Sequence, residues 1–307
     1  VRTEVTYLLE HWIRIWSETP GSEKAYASYL SLLQQQGVLK SEENSDRFFR
    51  ITTELCIESC FNNTSGEVDS NGRPKLRYDV IDAFSKLIVL LVKYADPVAG
   101  STTAKIALLS RVLTTISRVL SADYASHVES NTKFDQRAYF RFFINLLQDL
   151  NSPDPVLDSS NFQVLSAFAN CFHALQPATV PGFAFSWLEL ISHRMFMPNL
   201  LNAKQHKGWP PLQRLMVSLF RFLEPYLRVP QMNDAIRLLY KGTLRVLLVL
   251  LHDFPEFLCE FYFSFCDVIP TSCIQLRNLV LSAFPRTMRL PDPFTPNLKV
   301  DLLPEIT

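Results

Sequence analysis

Very little glycine punctuates this sequence: 8 residues in a chain of 307. Scarce glycine beside abundant Leu, Phe and Ala is the composition of a helical protein. No stretch alternates apolar and polar residues between hairpin signals, so a strand-based fold is excluded. Net charge is also lacking, since 30 Lys and Arg balance 30 Asp and Glu. Domains that grip nucleic acid carry a net basic face, so neutrality argues against sequence-independent RNA binding while leaving room for a local basic patch. Six cysteines are scattered without a CxxC: Cys56, Cys60, Cys171, Cys259, Cys266 and Cys273. Most lie in apolar helical runs and read as free, buried thiols of a reducing compartment. Asn62-Asn63-Thr64 fits a glycosylation sequon, but nothing else points to secretion. The strongest apolar run, Val246 to Leu251, falls far short of the roughly 20 residues of a membrane span, which points to a soluble protein without membrane contact. A starting methionine and a signal peptide are missing, and Val1-Arg2-Thr3 already follows a helical pattern. The chain therefore reads as a piece of a longer protein.

Catalytic and metal-binding patterns are missing as well. Neither HExxH nor HxxxH occurs among the six histidines. Cys56 and Cys60 stand four apart on one helix, but no second pair completes a tetrahedral set. Cys171 and His173 point to different helical faces. GxSxG, the P-loop and GxGxxG are absent, Gly182 to Ser186 forms no nucleophile elbow, and Glu189 and Glu256 stand without a carboxylate partner. These gaps predict no enzyme, no cofactor and no metal.

What remains is a helical period carried almost from end to end, with 48% hydrophobic and 12% aromatic residues to bury. Leu8, Leu9, Trp12, Ile13 and Trp16 form one stripe at 3.6-residue spacing. Tyr26, Tyr29, Leu30 and Leu33 form a second, closed by Gly37. Ser45 and Asp46 predict the start of a third helix, reaching Phe61. A polar loop spans 62–74. A long helix follows and ends before Pro97, and Ser101-Thr102-Thr103 opens the next. Further stripes stop at Asn151-Ser152-Pro153 and at Pro177, and 198–211 reads as irregular. A long helix through Leu251, a Phe-rich helix from Pro255 to Val268 and a last helix from Cys273 to Phe284 complete the series. Roughly a dozen helices of ordinary length joined by short connections predict an all-α, HEAT-like (MIF4G-like) helical-repeat solenoid. Leu87–Val92 and Val246–Leu251 are apolar on every face, which predicts cover on all sides.

The predicted organisation is a helical-repeat scaffold over 1–289 and an extended, proline-rich tail over 290–307 packed on it. Pro291, Pro293 and Pro296 forbid a helix there. Phe294, Leu298 and Val300, with Leu302, predict an extended segment with one apolar edge, either stapling the final helices or completing a docking surface. Two more candidate partner sites lie upstream. Arg237, Lys241 and Arg245, at i, i+4 and i+8, share one helical face. They read either as a basic stripe receiving an acidic partner segment or, the weightier reading, as a solvated outer face partly neutralised by Asp234. Phe254 and Phe257 belong to a Phe-rich helix whose aromatics cover more than one side, so part of it can line a groove for a partner.

Several segments carry a resemblance. They are Trp187-Leu188-Glu189-Leu190-Ile191-Ser192-His193-Arg194, the run from Tyr240-Lys241-Gly242 through His252-Asp253-Phe254-Pro255 to Cys259, Cys273-Ile274-Gln275-Leu276-Arg277-Asn278-Leu279, and Leu290-Pro291-Asp292-Pro293-Phe294-Thr295-Pro296 with the residues to Leu303. Together they resemble the C-terminal homology domain of the Not scaffold subunit of the CCR–NOT deadenylase complex. The likeness is specific from about Pro181 onward and looser before Pro177. It implies a stack of HEAT-like helix pairs that binds a heterodimer of smaller Not-family subunits and short linear motifs of messenger-RNA-binding repressors. It further implies a role in deadenylation, decay and translational repression, no nuclease activity of its own, and a cytoplasmic location with room for a nuclear pool. The rivals are a transport-type HEAT adaptor, and a helical repeat that binds RNA or an RNA helicase directly.

Overall fold

The computed structural model describes residues 1–62, 66–94, 101–289 and 291–304. Among these residues there is no strand, only one antiparallel bridge between Val68 and Pro74. In chain order the helices are α1 (Arg2–Glu18), α2 (Glu23–Gln35), α3 (Glu42–Asn62), α4 (Asp79–Tyr94), α5 (Thr102–Glu129), α6 (Arg137–Asn151) and α7 (Asn161–Ala174), followed by α8 (Ala184–Ile191), α9 (Met197–Leu201), α10 (Trp209–Leu227), α11 (Asp234–Asp253), α12 (Pro255–Val268) and α13 (Ile274–Leu281). They stack in two layers. One runs α1, α3, α5, α7, α10, α12 and the other α4, α6, α8, α11, α13, each helix packing on the next in its layer, with hairpin partners such as α3 and α4 or α11 and α12 joining the layers. This is the solenoid that the periodicity predicts, each unit touching its sequence neighbours.

Local chemistry sets the helix ends. The side chains of Ser22, Ser101 and Asn233 accept the Ala25, Ala104 and Ile236 amides at 3.3, 3.3 and 2.8 Å, satisfying donors that the first turn leaves orphaned. Gly37, at φ 71°, turns the chain out of α2 as expected. The third helix starts earlier than Ser45 predicts. Ser41 accepts the Asn44 amide at 3.1 Å, and Glu42 and Glu43 fill a first turn whose dipole favours negative charge. The 198–211 stretch is less irregular than its prolines suggest. It holds α9, a single 3-10 turn, and the start of α10, where Pro210 and Pro211 occupy positions whose N–H would be unpaired anyway. Pro97, Asn63, Thr64 and Leu290, all named above, lie outside the described residues.

Two fully buried indoles tie the layers together. Trp12 on α1 donates Nε1–H to the Ala83 carbonyl on α4 at 2.6 Å. Trp187 on α8 donates to the Phe172 carbonyl on α7 at 2.7 Å. Leu87 to Val92 on α4 are all buried, as an all-round apolar helix requires. The matching expectation for Val246–Leu251 fails, because Leu248 is 51% and Val249 43% exposed. The six cysteines are free, and only Cys56, Cys60 and Cys171 are buried. Burial raises all three thiols, with Cys60 pushed up to about 11 and Cys171 to about 12.

The segment after α9 is seated by a close backbone approach. A methyl group on Gly208 would stand 1.8 Å from the Leu200 carbonyl oxygen, and Leu200 is itself fully buried. Backbone cannot move aside as a flexible side chain can, so Gly208→Ala should cost at least about 2–3 kcal/mol. A urea titration followed by circular dichroism measures this. A midpoint unchanged from wild type would show that the approach carries no weight.

Candidate functional site

Helix α11 buries one side and leaves the other in solvent. At about 100° per residue, Ile236, Leu239, Thr243, Val246, Leu247 and Leu250 fall together and are buried. The opposite arc, about 120° wide by the same spacing, carries Asp234, Arg237, Leu238 and Lys241, then Arg245, Leu248, Val249 and His252, all exposed. The predicted basic stripe therefore does share a face, and that face is interleaved with apolar side chains. Leu238, 59% exposed, stands beside Lys241, and Leu248 and Val249 continue the arc beyond Arg245.

Its charges are not equivalent. Arg237 is drawn back to the helix start, 3.4 Å from the Asp234 carboxylate and donating to the Met232 carbonyl at 3.3 Å. Lys241 and Arg245 have no ion-pair partner among the described residues. His252 meets Asp253 at 2.7 Å. The arc thus presents two unpaired cations about 6 Å apart along the axis, one turn of helix. Its lower edge adjoins α13, where the Tyr240 hydroxyl donates to Gln275 at 2.8 Å.

The neighbouring aromatics divide differently from expectation. Phe257 is fully buried and packs against Trp209, Phe261 and Phe265 with ring centroids 5.3 to 5.9 Å apart. It is core and is unavailable to a partner. Phe254, half-buried, caps the turn between α11 and α12 and packs on the same core. The ring that does face solvent is Phe263, 75% exposed, next to exposed Tyr262. Helical arithmetic exposes the difference: Phe257, Phe261 and Phe265 recur at i, i+4 and i+8, whereas Phe263 lies about 120° off that stripe. Ile274, Leu281 and Phe284 extend the exposed apolar set through α13 and just past it.

The tail departs from the predicted extended, packed segment. Asp292 accepts the Phe294 amide on its side chain at 2.9 Å and the Thr295 amide on its carbonyl at 3.0 Å. Asn297 adopts φ 60°, and Val300 to Leu302 form a 3-10 turn. Asp and Asn at these positions make local turns, and the turns override the alternation of Leu298, Val300 and Leu302. Phe294 is 90% exposed, and Pro293, Pro296 and Val300 are exposed, while Pro291 and Leu298 are half-buried. The described tail is a string of turns with Phe294, Val300 and Leu302 in water and Leu298 half-buried.

Among the described residues, no group of three or more His, Cys, Asp or Glu side chains is placed to hold a metal ion, and no helix is long and apolar enough to cross a membrane. A cavity of about 970 Å³, lined by Trp16, Tyr26, Leu90 and Tyr94, lies between the α1–α2 hairpin and α4 and includes none of the candidate residues.

A two-layer stack in which each helix packs on the next of its layer is a helical-repeat domain. The family model described as "CCR4-Not complex component, Not1" matches residues 147–307, and the chain belongs to that Not1 family. It is 39% identical over 321 aligned residues to the "CCR4-NOT transcription complex subunit let-711" of Caenorhabditis elegans, covering 99% of this chain and 12% of that one. It is 33% identical to the "General negative regulator of transcription subunit 1" of Schizosaccharomyces pombe, covering 99% of this chain and 14% of the relative. The chain thus spans about an eighth of the length of these relatives. Among solved structures, the NOT1 superfamily homology domain of Chaetomium thermophilum superposes with a TM-score of 0.85 at 26% identity, covering 99% of this chain and 57% of that one. A "Not1 C-terminal domain in complex with Not4" superposes at 0.79 with 27% identity, covering 100% of this chain and 59% of that one.

The division of the aromatics is checkable by stability. Phe257→Ala should cost about 3–5 kcal/mol, as cavities in packed cores do. Phe263→Ala should stay within about 0.5 kcal/mol of wild type. Chemical denaturation of the two variants reads the contrast, and equal losses would mean that Phe263 is also packed.

Proposed function

We propose that this chain is a non-catalytic scaffold segment of a CCR4-NOT-type deadenylase complex. It docks a heterodimer of smaller Not-family subunits and short linear motifs of messenger-RNA-binding repressors, and so supports deadenylation, decay and translational repression, chiefly in the cytoplasm with a nuclear pool. The observation that carries this reading is the solvent-exposed apolar set on α11 to α13, namely Leu248, Val249, Phe263, Ile274 and Leu281. Apolar side chains of this size, held in water on a rigid helical frame, are available for contact with a protein partner. The solved relative bound to Not4 supports the choice of partner class. The interleaved aliphatic residues favour protein over nucleic acid, since single-stranded RNA is held by stacked aromatics in a basic groove.

The tail belongs to the same reading. With Phe294 in water, the segment contributes little burial to the stack and is a docking element rather than a staple.

Two measurements test this function. The purified chain, incubated with labelled poly(A) and magnesium, should leave the substrate intact, and should form a stable complex with the C-terminal regions of the smaller Not subunits on size-exclusion chromatography. Leu248→Glu combined with Phe263→Glu should weaken that complex at least about tenfold, the scale of a central contact. Metal-dependent shortening that copurifies with the chain, or undiminished binding by the double variant, would refute the assignment. Ending the chain at Arg289 should leave the melting temperature nearly unchanged while weakening the complex. A large fall in melting temperature would restore the staple.

A further inference from the structure

The exposed arc of α11 combines three features that narrow what can lie on it. It is cationic, because Lys241 and Arg245 have no acidic partner among the described residues while the only acid on the arc, Asp234, is engaged by Arg237. It is apolar on either side of those cations, at Leu238 before Lys241 and at Leu248 and Val249 beyond Arg245. It is also convex, the outer face of one helix whose backbone groups are already paired within it. An extended peptide leaves its own N–H and C=O groups in need of partners, and this face offers none. A helical segment satisfies its backbone internally and can pack side chain against side chain.

Resting on the scaffold reading above, we propose that the α11 arc receives an amphipathic, acidic helix of a protein partner. Two carboxylates four residues apart on that helix would stand about one turn, ~6 Å, from each other. That separation matches Lys241 and Arg245. An apolar residue one turn further would rest on Leu248 and Val249. Carboxylates fit both cations, and Arg245 can hold its carboxylate in a two-pronged contact. RNA phosphates would meet the same cations but would gain nothing from the aliphatic side chains that flank them. Arg237, already drawn to Asp234, is a bystander in this scheme.

The test uses a random library of 16-residue peptides displayed on phage, selected on the chain and counter-selected on Lys241→Glu/Arg245→Glu. The enriched peptides should carry Asp or Glu pairs four apart with apolar residues on the same helical face. As synthetic peptides they should bind wild type at least tenfold more tightly than the double variant in fluorescence polarisation. Leu248→Ser/Val249→Ser should also lose at least threefold, and Arg237→Gln should change affinity less than twofold. All variants should keep the wild-type melting temperature. Enrichment without acidic pairs, equal affinity for wild type and the charge-reversed chain, or tighter binding of a 20-nucleotide RNA than of any selected peptide would overturn the proposal. The smaller Not subunits are titrated in parallel. If they bind wild type while the acidic peptides fail, this inference falls and the scaffold function stands; if they also fail, the scaffold function falls with it.

Discussion

Everything in this molecule depends on the burial that two layers of helices give each other. A helix inside such a stack has neighbours before it, after it and across from it, which leaves one outward arc. Its inner side must be apolar and closely packed, and the indole N–H groups of Trp12 and Trp187 find carbonyl acceptors in the opposite layer. Unpaired, each such donor would cost about 1–3 kcal/mol. The interior is thus fully committed to cohesion. Whatever the chain does for other molecules has to be done by the outward arcs and by the tail.

That constraint explains how the fold could be read from sequence while parts of the site could not. Helical period, caps and proline positions are local properties. α12 runs from Pro255 to Val268 as its pattern predicts, and Ser101 caps α5 where expected. Ser45 and Asp46 suggest a later start for α3, but Ser41 is also a sound capping residue, and the acidic pair after it favours the earlier start. Exposure is not local. Leu87–Val92 and Val246–Leu251 look alike as strings, yet α4 lies among α1, α3, α5 and α6, whereas no described helix covers Leu248 and Val249. The division between Phe257 and Phe263 was available from spacing alone, since only one of them shares the stripe of Phe261 and Phe265. In the tail the alternation of Leu298, Val300 and Leu302 suggests an extended segment, but the turns made by Asp292 and Asn297 override it.

The surface that results is economical in its chemistry. On α11 the same turns that seat Val246, Leu247 and Leu250 in the core present Lys241, Arg245 and Leu248 outward. The core side of the helix fixes the spacing of the solvent side, so the geometry offered to a partner is as rigid as the stack itself. Phe263 on α12 and Ile274 on α13 are held in the same way. Recognition built on such positions loses little backbone freedom on binding, in contrast to recognition built on loops.

The buried thiols bring a different property into view. Cys56 and Cys60 lie on α3 and Cys171 on α7, shut away from solvent and shifted toward the unreactive, protonated form. A thiol-modifying reagent can reach them only while the surrounding repeat is transiently open. The chain thus carries two natural clocks at separate points along its length. Matching labelling rates would mean that the stack opens as one cooperative body, and diverging rates that it peels repeat by repeat.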